Sequence, residues 1–62
     1  QAMKAMDDAA KIQDPDLRNR ISRGAFRRLL ISRPKETMNY LQDAVIPPDL
    51  KGELQAIATD TP

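Results

Sequence analysis

Apolar residues recur along this chain at helical spacing, in four stretches divided by proline or by polar breaks. The first, AMKAMDDAAKIQ over residues 2–13, sets Met3, Met6 and Ala10 at i, i+3 and i+7, with Ile12 to one side. It is rich in good helix formers and free of Gly and Pro. The second opens on Asp14-Pro15-Asp16. Asp14 suits an N-cap, Pro15 the first helical position, and Asp16 the positive end of the helix dipole. Leu17, Ile21, Ala25 and Leu29 then recur in steps of four, and Phe26 and Leu30 widen that face. This predicts a helix over 15–32 with that stripe turned to the core and Arg20, Arg23 and Arg27 on another side. Arg18 falls near the apolar stripe and is expected to swing outward from the first turn. Gly24 costs about 1 kcal/mol relative to Ala inside a helix. It marks either a close helix–helix crossing or a break, with Ser22 capping a new helix near Arg23 in the second case.

Arg33 stands before Pro34, and a residue before proline avoids the α region, so the second helix ends there. Pro34 opens a third helix over 34–45, with Met38, Leu41 and Val45 as its stripe and Tyr40 and Ala44 alongside. Ile46-Pro47-Pro48 reads as a stiff extended connection. Asp49 is placed to cap a fourth helix near 49–58, in which Leu50, Leu54 and Ile57 repeat at i, i+4 and i+7. Gly52 weakens that helix, and a strand through Glu53–Thr59 is the alternative. Residues 59–62 read as a loose tail. The expected fold is all-α: one small domain of three to four short helices around a central basic amphipathic helix.

Length limits what such a bundle can do. Sixty-two residues hold one domain, and a chain this short buries only about 60% of the surface its unfolded form exposes. Six Leu, five Ile, three Met, one Val, one Phe and one Tyr supply the strongly apolar side chains. There is no Cys and no His, so neither a disulfide nor the usual zinc ligands can staple the fold. A partner chain or self-association is the remaining aid. The chain begins at Gln1, as expected of a processed product or of a piece of a longer protein. No signal-peptide pattern and no apolar run of about 18 residues is present, so no membrane span and a cytoplasmic location are expected.

Charge sharpens the picture of the second stretch. Residues 17–35 hold Arg18, Arg20, Arg23, Arg27, Arg28, Arg33 and Lys35 and no acid, a local charge of +7. Residues 1–16 carry two Lys and four Asp, and residues 36–62 one Lys, two Glu and three Asp. An acidic–basic–acidic order predicts that the flanks fold back and neutralise much of the middle.

The chemistry is mostly a matter of exclusion. Without His or Cys, Ser22 and Ser32 lack a base to activate them, and no glycine-rich phosphate loop or nucleophile elbow is present. Capping accounts for Asp14 and Asp16, and the spacing of a calcium loop is missing. We therefore expect no enzyme, no cofactor and no metal. What is left is binding. Phe26, Leu29, Leu30 and Ile31, ringed by Arg20, Arg23, Arg27 and Arg28, fit a groove or an acidic patch on a protein partner; the bland reading of those four apolar residues is ordinary core. The same arginines could meet phosphates, which makes a nucleic-acid-binding module the alternative, although stacking aromatics are nearly absent.

One segment carries a resemblance. Residues 25–34, AFRRLLISRP, resemble the helix-ending segment of nitrile-hydratase-like leader peptides of ribosomally synthesised, post-translationally modified peptides, which usually reads A-F-R-x-x-L-L-x-D-P. Phe26, Arg27, Leu30 and Pro34 fall in place, Ile31 replaces the second Leu, and Arg33 replaces the Asp. A helix, an Ile46-Pro47 step and a closing Asp60-Thr61-Pro62 follow, so the similarity spans residues 25–62. It implies a leader-type recognition domain bound by a modifying enzyme, one form of the docking module.

Overall fold

A computed structural model describes residues 3–60, and they form four helices with no strand among them. Helix α1 is Lys4–Ala10, α2 Pro15–Ser32, α3 Pro34–Asp43 and α4 Pro48–Asp60. The α2 bounds coincide with those expected. Asp14 is extended (φ −72°, ψ 116°) and its carboxylate accepts from the Leu17 N–H at 3.0 Å, capping a helix that Pro15 opens. Arg33 leaves the helical region (φ −142°, ψ 68°), as its place before Pro34 requires.

Other boundaries move. Helix α1 stops at Ala10, short of the expected residue 13, and its expected start at Ala2 lies outside the described residues. Helix α3 stops at Asp43 because Ala44 is already extended (ψ 136°), on its way into the two prolines; Val45 leaves the expected stripe and stands fully in solvent. Helix α4 begins one residue early, at Pro48, so Asp49 is not its cap but lies in its first turn. The helix then continues through Thr59 and Asp60, replacing both the strand alternative and the start of the expected loose tail; Thr61 and Pro62 lie outside the described residues.

Within the fold, Gly24 is neither a close helix–helix crossing nor a break. Helix α2 runs through it unbroken, its φ is not positive, and a Cβ built on it would meet nothing within 4 Å.

Every other helix packs on α2, and α3 also meets α4. The core sits on the inner side of α2. Phe26 is fully buried there, against Met6 of α1, Leu41 of α3, and Leu50 and Leu54 of α4. Leu29, Leu30, Tyr40, Ile46 and Ile57 close around that cluster, partly buried. The Cα radius of gyration, 10.4 Å, is close to the roughly 10.6 Å expected of a compact chain of this length. Among the described residues, two polar side chains, Ser22 and Thr37, are also fully buried. Thr37 donates its hydroxyl to the Arg33 carbonyl at 2.7 Å, tying the α2–α3 corner. The Ser22 hydroxyl has no hydrogen-bond partner among the described residues.

Two outcomes follow from this core. Truncating a buried Phe typically removes about 3–5 kcal/mol. A domain of this size holds a total margin of about 3–9 kcal/mol. Phe26→Ala should therefore remove a large part of that margin and lower the thermal midpoint by well over ten degrees in circular dichroism; a cooperative transition near that of the parent would contradict the core placement. Ser22→Ala removes an unsatisfied buried hydroxyl and improves helix propensity, so Tm should rise by several degrees. A fall in Tm would show that the hydroxyl is engaged.

Candidate docking surface

The rotation of α2 about its own axis decides which side chains are free. Its buried positions are Ser22 and Phe26, not the stripe through Leu17 and Ile21. Leu17 and Ile21 are instead 37% and 46% exposed. The cause lies in the N-terminal half, where the inward-facing side chains are polar and matched. Arg18 lies mostly covered and its Nη2 donates to Asp49 Oδ2 at 2.8 Å, so it does not swing outward. The Arg18 Nε donates to Asn19 Oδ1 at 2.9 Å. The Asn19 amide donates to Asp49 Oδ2 at 3.1 Å and to Glu53 Oε2 at 2.7 Å, and Arg23 donates to Glu53. These charge-assisted bonds, continued by the Phe26 ring, hold the 18–19–22–23–26 face against α4.

This network also shifts a titration. The Asn19 hydrogen bond, helped by the Leu50 backbone N–H and the Arg18 charge, holds the Asp49 carboxyl below the ordinary aspartate range.

The residues expected to bind a partner divide accordingly. Phe26 is committed to the core, so its side chain reaches a partner only if the bundle opens. Leu29 and Leu30 are half-buried against the core, which leaves them edges only. Arg23 is committed to Glu53. Arg20, Arg27, Arg28 and Ile31 remain on the outer side of α2, with Ile31 83% exposed. Leu17 and Ile21 join them there. Periodicity alone misplaces these two because Arg18 and Arg28 both fall within the supposed core stripe. One arginine can swing clear, but two signal that the stripe does not face the core.

The expected neutralisation reaches only part of the basic stretch. Arg18, Arg23 and Arg33 are matched by Asp49, Glu53 and Glu36. Among the described residues, none forms an ion pair with Arg20, Arg27 or Arg28. Among the described residues, the outer side of α2 is therefore a strip of aliphatic side chains with unmatched guanidinium groups within it (Arg28) and along one edge (Arg20 and Arg27).

A second feature lies between α1 and α3, helices that do not pack on each other. It is a shallow cleft of about 750 Å³ lined by Asp7, Glu36, Tyr40, Asp43 and Ile46 among others. Partial burial and the nearby Asp7 carboxylate push the Tyr40 hydroxyl above its ordinary pKa. Among the described residues no three carboxylates gather into a group able to hold a metal ion, and no helix is long and apolar enough to cross a membrane. Compared with protein-family models, with curated proteins and with solved structures, the chain matches none.

The α2–α4 network predicts an acid response of definite sign. Because the folded carboxyl of Asp49 titrates lower than the unfolded one, its contribution to stability is present above the ordinary aspartate pKa, about 3.9, and is lost as pH falls through the lower folded value. Denaturant unfolding followed down through that range should show stability declining, and Asp49→Asn should flatten the decline. The same acid slope in both proteins would contradict the assignment.

Proposed function

We propose that this chain is a non-catalytic protein–protein docking module, and that the outer face of α2 receives an acidic surface of its partner. The observation that carries this reading is the unequal treatment of the arginines. The fold supplies carboxylates for Arg18, Arg23 and Arg33 and, among the described residues, supplies none for Arg20, Arg27 and Arg28. Arg20 and Arg27 edge, and Arg28 stands among, Leu17, Ile21 and Ile31, which the fold leaves partly or largely in water. Arginine beside exposed aliphatic groups is the composition of an interface core and its rim, where the apolar groups contribute burial and the charges contribute steering and specificity.

A leader-type recognition domain, bound by a modifying enzyme, is the specific form of this reading that AFRRLLISRP suggests. In that form Arg27, Arg28 and Ile31 are among the exposed members of the segment, while Phe26 holds the fold. Binding of nucleic acid through the same arginines is less well supported. The strip between them is aliphatic, and the two aromatic residues lie elsewhere, Phe26 in the core and Tyr40 on α3, so no base-stacking platform accompanies the charges.

Selection of random peptides on the immobilised chain tests the proposal while the partner is still unidentified. The selected sequences should combine Asp or Glu with Leu or Ile. Replacing Arg20, Arg27 and Arg28 together by Ser should weaken their binding at least tenfold. Selected peptides that lack acids, or that bind the triple variant as well as the parent, would overturn the reading. Binding to DNA or RNA that falls steeply with salt, without selection of acidic peptides, would replace it with the nucleic-acid one.

A further inference from the structure

Among the described residues, neither a contact nor a backbone angle calls for glycine at position 24. Glycine in a helix interior lowers stability by about 1 kcal/mol relative to Ala. It is normally explained by a positive φ, a kink or a close approach within the molecule. Here φ is not positive, α2 is continuous from Pro15 to Ser32, and a Cβ at this position would stand in open space. A local rule broken without any gain to the fold points to function.

Its neighbours on the helix surface say what kind. Leu17, Ile21, Gly24, Arg28 and Ile31 follow one another at intervals of four, three, four and three residues. That is the a/d spacing of a helix built to lie along another helix. Leu17, Ile21, Arg28 and Ile31 are exposed, and Gly24, partly exposed, lies at the centre. Arg20 and Arg27 run along one edge of the seam, seven residues apart. The bare Cα of Gly24 lets a second backbone come closer there than any side chain would permit.

Resting on the docking reading above, we infer that the element received by α2 is an acidic amphipathic α-helix of a partner protein, lying along this seam with its closest backbone approach at Gly24. Charge selects the occupant. A second copy of this chain would set arginine against arginine: Arg28 against Arg28 in a parallel pair, Arg20 and Arg27 against their equivalents in an antiparallel one. A helix bearing Glu or Asp on its flank matches the same edge. The contrast with Gly52 supports the assignment. It too is open, with nothing within 4 Å of a built Cβ, but the exposed side chains of its face on α4 are Asp49, Gln55, Ala56 and Thr59, and no large apolar residue accompanies them.

Two synthetic peptides of about five helical turns, roughly 18 residues, test this. Both carry Leu at the a and d positions and Ala opposite Gly24; one has Glu at the flanking positions and the other Lys. Titrated against the full chain, the Glu peptide should bind at least tenfold more tightly than the Lys peptide and gain helicity in the complex. Gly24→Leu should weaken the Glu peptide at least tenfold, with Tm unchanged or raised. Should Gly24→Leu lower Tm, Gly24→Ala serves instead, with a smaller loss of affinity in the same direction. Equal binding of the two peptides, or Gly24 variants that bind the Glu peptide as the parent does, would overturn the inference. A dimer of the chain alone in sedimentation, abolished by Gly24→Leu, would overturn it by making a second copy the occupant. If selected acidic peptides depend on the three arginines but tolerate Gly24→Leu, the docking reading stands and the helical partner falls. If they tolerate the triple arginine variant too, both fall.

Discussion

The fold depends on burying one ring. Phe26 is the largest fully buried side chain, and it lies on the inner side of the longest helix, where side chains from the other three converge: Met6, Leu41, Leu50 and Leu54. Helices of 7 to 13 residues are marginal alone, since nucleation is unfavourable and isolated helices below about 12–15 residues scarcely form in water. Each of the three shorter helices is held because its apolar side chains meet α2. Central packing on one helix also explains why α1 and α3 stay apart and leave a cleft: each has its partner in α2 and none in the other.

That constraint divides the basic stretch into two populations. Once Phe26 points inward, Arg18, Asn19 and Arg23 are carried to the α4 side, where Asp49 and Glu53 satisfy them. Exposed ion pairs contribute little each, but this shared network couples several groups and fixes the helix rotation as well as the charge balance. The same rotation sends Leu17, Ile21, Arg20, Arg27, Arg28 and Ile31 outward together. Fold and candidate function thus occupy opposite sides of one helix. Gly24 falls on the outer side, which is why the fold gives it nothing to touch.

Much of the architecture was legible because proline and capping residues act locally. Asp14-Pro15 and Arg33-Pro34 placed both ends of α2, and Leu50, Leu54 and Ile57 placed the inner face of α4. The rotation of α2 was not legible from periodicity, which favoured Leu17 and Ile21 for the core. It is decided between distant residues, by Asp49 and Glu53 some 30 positions along the chain, and no local pattern records such a match. Val45 was misplaced for a related reason: the helical stripe of α3 extended on paper into residues that the coming prolines draw into an extended path. The candidate site was half legible. Arg20, Arg27 and Arg28 were picked out by charge and Ile31 by its apolar run, and the structure leaves these four exposed, whereas Phe26 lies in the core and Arg23 in an ion pair across to α4. The 4–3–4–3 seam was present in the sequence throughout, but it reads as a surface only when the inner face is known.

Helix α2 thus serves the fold with one side and, on the docking reading, a partner with the other. An alanine scan along α2, reading both unfolding free energy and affinity for a selected acidic peptide, addresses this division most directly. Two separate sets of residues are expected. Substitutions at Phe26 and Arg23 should change stability, while those at Arg20, Arg27, Arg28 and Ile31 should change affinity and leave stability within about 0.5 kcal/mol of the parent. Loss of several kcal/mol on replacing those outer residues, or affinity that depends on none of them, would contradict that division.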